Sequence, residues 1–370
     1  MTSPSSDSVR LVFIHPSDEL YGADRILLDL HAALTPAEQN RAEFWLPSDV
    51  THPARPLSAE LGARGATVRH LDLPILRRAY RTPRGVAGLA RRWVHTLRAL
   101  RAARPAIVYL TTSAAYLCAP AARLAGASRV IGHKQEIWSK SDALVLGTFA
   151  RACHRLITIS SPVHDNLPPS LRRRAVMVLN ATKAPVSYET LDGRTGPLTY
   201  TVASRWNTWK GHRTLLAAWD VADEPGHLVV LGGPPPSGNT VDVALLATQL
   251  RHPDSVTIVG EVSDIGPHLD ASDIVVVPSD CPEPFGLVAI EAFARARPVI
   301  GSSAGGLADI ITDTSDGWIF PPSHVEELAK IFDHLHRDDV HRAGRNARSS
   351  YEARFTIERY TAEWRDGVGL

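Results

Sequence analysis

The stretch DIVVVPSDCPEPFGLVAIEAFARARPVIGSS (residues 273–303) reads as one complete strand–loop–helix–strand unit. Its two strands, DIVVVPS (273–279) and RPVIGSS (297–303), are near-continuous runs of apolar residues, the mark of a parallel sheet covered on both faces. Between them a short proline-rich loop leads into a helix that starts near Gly286. Glu283 precedes Pro284, which biases it to an extended conformation, so its carboxylate belongs to the loop. The amides of Phe285, Gly286 and Leu287 lie where a helix N-terminus receives an anion such as a phosphate. Gly286 has no side chain to block that approach. Glu291, a little over one turn inside the helix, is spaced to accept hydrogen bonds from a ribose diol beside the phosphates. Glu283 then faces whatever hangs from the far phosphate. A capping glutamate and a solvated glutamate would explain either acid alone. The whole constellation favours a nucleotide-diphosphate site.

Working outward, the same alternation fills the chain. VRLVFIH (9–15), AEFWLP (42–47), TVRHLDL (67–73), AIVYLTT (106–112), RVIGHK (129–134), RLITIS (155–160) and AVMVLN (175–180) read as strands in the first half. LTYTVAS (198–204), HLVVLGG (227–233) and SVTIVG (255–260) join the two quoted strands in the second. Helical stretches such as ADRILLDLHAAL (23–34), GLARRWVHTLRAL (88–100), ALVLGTFARA (143–152) and HVEELAKIFDHL (324–335) separate them. The class is therefore α/β, with too many strands for one ordinary doubly wound sheet. Two Rossmann-like domains are expected, at 1–183 and 184–355, with a last helical segment at 356–370. KAPVSYETLDGRTGP (183–197) has the prolines and glycines of a linker. Any ligand should lie in a cleft at the carboxyl ends of the strands.

A second chemical element is TVASRWNTWKGHRTLLAAW (201–219), a strand, a loop with Arg205 and Lys210, and a helix. Two cations at a strand's carboxyl end suit the charge that builds on a departing diphosphate. Three scattered cysteines, Cys118, Cys153 and Cys281, with no CxxC pair, indicate neither a disulfide framework nor a cysteine-rich zinc site. The polar start MTSPSSDSVR does not read as a secretory signal, and no apolar run approaches a spanning length. A cytoplasmic location is the expectation.

EPFGLVAIE, with two glutamates eight positions apart, resembles the E-x7-E motif of retaining glycosyltransferases of the GT-B fold, family 4. YGADR (21–25) is similar to that family's glycine-containing loop after the first strand, and SRWNTWKG (204–211) to its Arg–Lys–Gly segment. VGEVSD (259–264) falls where the family's backbone pinches the nucleotide base. AGGLADIITDTSDGWIFPPSHVEELAKIF (304–332) resembles its closing sheet edge and helix. The resemblance implies two Rossmann-like domains with parallel sheets facing a cleft, and a C-terminal helix crossing back to the N-terminal domain. It implies transfer of a sugar from a nucleotide-diphosphate donor with retained configuration, by same-face attack and with no metal or cofactor. Carried over residue by residue, Glu291 meets the ribose and Glu283 the donor sugar. Arg205 and Lys210 hold the diphosphate, with amides of Phe285, Gly286 and Leu287, while Gly22 and Val262 complete the donor site. Where many members have a histidine that touches the sugar, this chain has IGHKQEIW (131–138), which leaves His133 and Gln135 as equal candidates. Asp309 stands where glutamate is more usual.

The net charge of +1 hides a division: residues 1–185 hold 25 Lys+Arg against 13 Asp+Glu, and the remainder 15 against 26. From Leu73 to Gln135 there is no acid, and nine arginines between Arg77 and Arg104 share one stretch with Tyr80 and Trp93. Such a surface suits an anionic membrane, here the inner face, or an anionic acceptor, and a solvated helix face is the plain alternative. Nucleic acid is disfavoured, because no groove-reading or base-stacking element accompanies the charges. The acceptor is expected to be a glycan, a lipid-linked group or a small molecule. A non-catalytic binding or scaffold subunit is the runner-up. A nucleotide-sugar epimerase or oxidoreductase is less favoured, because PSDELYGADR after the first strand holds one glycine and no G-x-G-x-x-G.

Overall fold

Every residue of the first strand, β1 (Leu11–Ile14), is buried, as its unbroken apolar run requires of a strand covered on both faces. The computed structural model describes residues 10–49, 55–77, 80, 82–223, 225–235 and 239–370. The polar first eight residues, Val9, Arg78 and Arg81 lie outside the described residues.

By its internal packing the chain forms two units, one of residues up to 179 together with 360–370, the other of residues 180–359. The first holds a seven-stranded parallel sheet. Its strands are β1, β2 (Ala42–Pro47), β3 (Thr67–Leu71), β4 (Ile107–Leu110), β5 (Arg129–Lys134), β6 (Arg155–Thr158) and β7 (Ala175–Met177), in spatial order β3-β2-β1-β4-β5-β6-β7. Leu11 pairs with Ala42 on one side and Ile107 on the other, so the order reverses between β1 and β4. Such a switch point is where doubly wound sheets bind ligands. The edge strands β3 and β7 are only half-buried.

The second unit holds β8 (Thr199–Ala203), β9 (His227–Leu231), β10 (Val256–Gly260), β11 (Ile274–Val277), β12 (Val299–Ser302) and β13 (Gly317–Phe320), all parallel, in order β10-β9-β8-β11-β12-β13. Its switch point lies between β8 and β11, the two strands that carry the segments singled out above. The aromatic cluster Tyr200, Trp219 and Phe332, with ring centroids 5.2–5.3 Å apart edge to face, packs one face of this sheet.

The chain ends in the helix Ile357–Val368. From Tyr360 onward it belongs to the first unit, where Trp364 is fully buried and donates its indole N–H to the Tyr109 hydroxyl at 3.1 Å. Arg365 grips both carboxylate oxygens of Glu38, at 2.7 and 3.0 Å. Arg129, on β5, takes the carbonyl of Val368 at 2.8 Å. An apolar anchor and two arginines thus bind the last turns to the first unit.

Candidate active site

In the second unit the loops after β8 and β11 meet backbone to backbone. Gly211 adopts φ +74°, and a Cβ there would stand 1.8 Å from the Pro278 carbonyl oxygen. No other residue fits so close an approach with that φ. The Asp280 amide donates to the Trp209 carbonyl at 2.9 Å, and the Thr214 hydroxyl to the Asp280 carboxylate at 2.8 Å. This stitching brings Lys210, on the turn Thr208–Lys210, to Glu283. The Lys210 ammonium donates to both carboxylate oxygens, Oε1 at 3.0 Å and Oε2 at 2.9 Å, and lies 4.2 Å from the centre of the Trp209 ring. The hydroxyl of Ser279, fully buried, donates to Oε2 at 2.8 Å.

The backbone of Glu283 is held as firmly. Its amide donates to the Ala304 carbonyl and its carbonyl accepts from the Gly306 amide at 2.7 Å. Gly305, at φ +79°, lies against that same backbone. Gly286 adopts φ +112° ahead of the helix Leu287–Phe293, and a Cβ there would meet Leu307 Cδ2 at 2.6 Å. The glycine is needed on both counts. The side chain of Phe285 packs inward, edge to face with Phe355. Glu291 lies partly exposed in this helix, and Arg205 is exposed just beyond β8. Val262 follows Gly260, whose φ of +89° turns the chain out of β10. Lys210 and Glu283 are therefore in contact, although 73 residues separate them.

Two side chains that the sequence reading passed over belong to this scaffold. Ser279 is one. The other is His212, fully enclosed, whose Nε2 lies 3.0 Å from the Ser204 hydroxyl beside Arg205. Burial pushes the His212 imidazole down to about 4, so it is neutral at physiological pH.

In the first unit Gly22 opens the helix Gly22–Ala32 at the carboxyl end of β1. Asp24 fixes this start by accepting from the Tyr21 amide at 2.8 Å, and it pairs with the buried His15 at 2.7 Å. His15 in turn lies 2.7 Å from the Thr111 hydroxyl, and the Thr111 carbonyl accepts from the Gln135 side-chain amide at 2.8 Å. A carbonyl only accepts, so the NH2 end of Gln135 faces Thr111.

The two candidates for the donor sugar differ in exposure. His133 is 0% exposed, its ring edge-on to Tyr109, and neither ring nitrogen has a hydrogen-bond partner among the described residues. Burial pushes it down to about 3. His133 is thus enclosed, whereas Gln135 retains exposed surface. Behind Gln135, the buried Lys134 donates to the Val163 carbonyl at 2.8 Å and to Asn166 at 3.0 Å, and burial pushes its ammonium down to about 7. Asn166 exchanges two hydrogen bonds with the Trp138 backbone, so this cluster pins the loop that carries Gln135.

Residues 191–350 match the family of glycosyl transferases group 1. The chain is 33% identical over 161 residues to D-inositol 3-phosphate glycosyltransferase of Mycobacterium marinum, a match covering 40% of this chain and 34% of that one. It is 28% identical over 338 residues to the enzyme of the same name from Xylanimonas cellulosilytica, covering 89% and 72%. The chain thus spans about a third of the length of the first of these relatives. Among solved structures, Anabaena HepE in complex with UDP and glucose superimposes with a TM-score of 0.80 at 19% identity, over 98% of this chain and 99% of that one. Sucrose-phosphate synthase of Thermosynechococcus elongatus gives 0.74 at 18% identity, over 97% and 98%. The fold is that of these GT-B glycosyltransferases.

The basic stretch is less free than its sequence suggests. Asp49 and Asp72, both outside the acid-free segment, reach into it. Arg92 pairs with Asp49 at 2.8 Å and with Asp72 at 2.7 Å, Arg77 with Asp49, and Arg91 with Asp72. The Tyr80 hydroxyl donates to the same Asp49. Burial alone would raise Asp49, but the bonds from Tyr80 and Arg92 hold its carboxyl below the usual range. On the helix Pro83–Ala103, Arg84, Arg91, Arg98 and Arg101 remain exposed, interleaved with exposed Val86 and Val94. No described helix is long and apolar enough to cross a membrane.

Proposed function

We propose that this protein is a retaining glycosyltransferase of family 4, transferring a sugar from a nucleotide-diphosphate donor to a glycan, lipid-linked or small-molecule acceptor. The observation that carries the reading is the Glu283 carboxylate, set by Lys210 and Ser279 at the switch point between β8 and β11. UDP-sugars are the first donors to test, because HepE, which shares the fold, was solved with UDP-glucose.

In this reading Lys210 and Arg205 neutralise the charge that develops on the diphosphate as the glycosidic bond breaks. Stabilising a leaving group by fixed charges is the largest catalytic term available to such a site. The amides of Gly286 and Leu287 and the partly exposed Glu291 receive the phosphate and the ribose, and the backbone near Val262 holds the base. Glu283 accepts hydrogen bonds from the sugar. The acceptor attacks from the face the diphosphate leaves, and the diphosphate takes its proton, so neither a carboxylate nucleophile nor a metal is required. The exposed arginines of the helix Pro83–Ala103 are proposed to meet an anionic acceptor or an anionic membrane surface.

Thermal-shift titration with UDP-, GDP- and ADP-sugars tests the donor class. A ligand that binds the folded chain alone raises its melting temperature with concentration. A rise with one of the three and its reversal in Glu291→Ala are expected. No shift with any donor at millimolar concentration would contradict the reading.

A further inference from the structure

We infer that Ser279 is a positioning residue for Glu283, holding its carboxylate in place when Lys210 turns to the donor's diphosphate. The inference rests on the glycosyltransferase reading and adds a role that this reading does not contain.

The two oxygens of Glu283 are held unequally. Oε1 accepts from Lys210 at 3.0 Å, whereas Oε2 accepts from both Lys210, at 2.9 Å, and Ser279, at 2.8 Å. The two donors also differ in freedom. Lys210 carries its charge on a flexible four-carbon stem, and its side chain is 18% exposed. Ser279 is fully buried two residues beyond β11, and its hydroxyl sits one bond from the Cβ. A diphosphate carries more negative charge than one carboxylate, so a bound donor draws the ammonium away from Glu283. The serine cannot follow. Oε1 is then released to accept from a sugar hydroxyl, while Oε2 stays bonded to Ser279.

The backbone of Glu283 is already fixed by Ala304 and Gly306, so only its side-chain torsions remain to be set. Without the serine hydroxyl, the carboxylate has one strong partner and follows Lys210 toward the phosphates. The Glu283 charge then partly cancels the cation that the leaving group needs, and the sugar loses its acceptor. Donor binding through the phosphates and ribose is little affected. The loss falls on the chemical step.

The test compares Ser279→Ala with the wild-type chain, and Ser279→Thr with Ser279→Val, in steady-state turnover of the donor selected by the thermal-shift screen. Thr and Val have the same shape and differ in the hydroxyl, so any cost of packing is common to both. A hydrogen bond to a charged group predicts kcat lower by roughly ten- to hundredfold in Ser279→Ala, with the donor KM within about twofold. Ser279→Thr is expected to exceed Ser279→Val by a similar factor. A Ser279→Ala kcat equal to wild type, equal loss in Thr and Val, or a change in KM alone would overturn the inference. Glu283→Gln run alongside separates the two levels. Wild-type turnover in that variant removes the glycosyltransferase site assignment itself. An inactive Glu283→Gln beside a fully active Ser279→Ala removes only the role of Ser279.

Discussion

Lys210 donates to both carboxylate oxygens of Glu283, across 73 residues of sequence, at 3.0 and 2.9 Å. A carboxylate with a side chain only 11% exposed is costly to leave without its cation. Lys210→Met should therefore lower stability by about 1–3 kcal/mol, and adding Glu283→Gln should recover part of that loss. Urea unfolding of the two single variants and the double variant measures the coupling. Additive effects would mean that the ion pair contributes nothing to the fold.

Gly286→Ala should destabilise the second unit. It forces an L-residue to φ +112° and drives a Cβ to within 2.6 Å of Leu307. The expected cost is about 2–4 kcal/mol, combining backbone strain with overpacking. Differential scanning calorimetry reads it as a lower melting temperature. Leu307→Ala in the same chain should relieve the clash but not the strain.

Acid should destabilise the chain well above the range of carboxylate titration. His133 and His212 are held down to about 3 and about 4 by burial, against an ordinary value of 6.5. Below pH 6.5 the unfolded chain takes up protons that the folded chain refuses, so stability present at neutral pH is lost as pH falls toward 4. Together the two rings put this loss at roughly 6 kcal/mol by pH 4. Denaturant midpoints at pH 7, 5.5 and 4.5 should trace it, and His133→Leu should make the slope shallower. A flat profile between pH 7 and 4.5 would contradict this prediction.

The membrane proposal depends on the exposed arginines alone. Replacing Arg84, Arg98 and Arg101 with glutamine should abolish sedimentation with vesicles containing anionic lipid at low salt, while Arg92→Gln should mainly cost stability through its bonds to Asp49 and Asp72. Absence of wild-type binding to such vesicles would exclude a membrane partner and leave an anionic acceptor.

The strands were legible wherever burial on both faces demanded an unbroken apolar run. Ala42–Pro47 and Arg129–Lys134 were read to the residue, because their composition is dictated by the sheet itself. β13 is four residues, GWIF, opening with a glycine whose Cβ would strike the Val299 carbonyl. So short a run was visible only through the family resemblance. The glutamates and cations of the second unit were legible because loop, proline and glycine signals surround them. Ser279 was not, since a serine at a strand end carries no signal until the fold sets its hydroxyl 2.8 Å from Glu283. His133 was ambiguous for a related reason: sequence places it at the end of β5 but not on the face that meets Tyr109. Which arginines of the first half are paired is not legible in the sequence, because Asp49 and Asp72 approach Arg77, Arg91 and Arg92 only in three dimensions.

Release of free nucleoside diphosphate reports whether Glu283 and Glu291 serve a bound nucleotide sugar. Incubated with a panel of UDP-, GDP- and ADP-sugars, with water or an added glycan as acceptor, the wild-type chain should release diphosphate from at least one donor. Glu291→Ala and Glu283→Gln should each reduce that release by at least about a hundredfold, a loss of roughly 2.7 kcal/mol of transition-state stabilisation. Diphosphate release unchanged in both variants would rule out a donor-site role for the two glutamates.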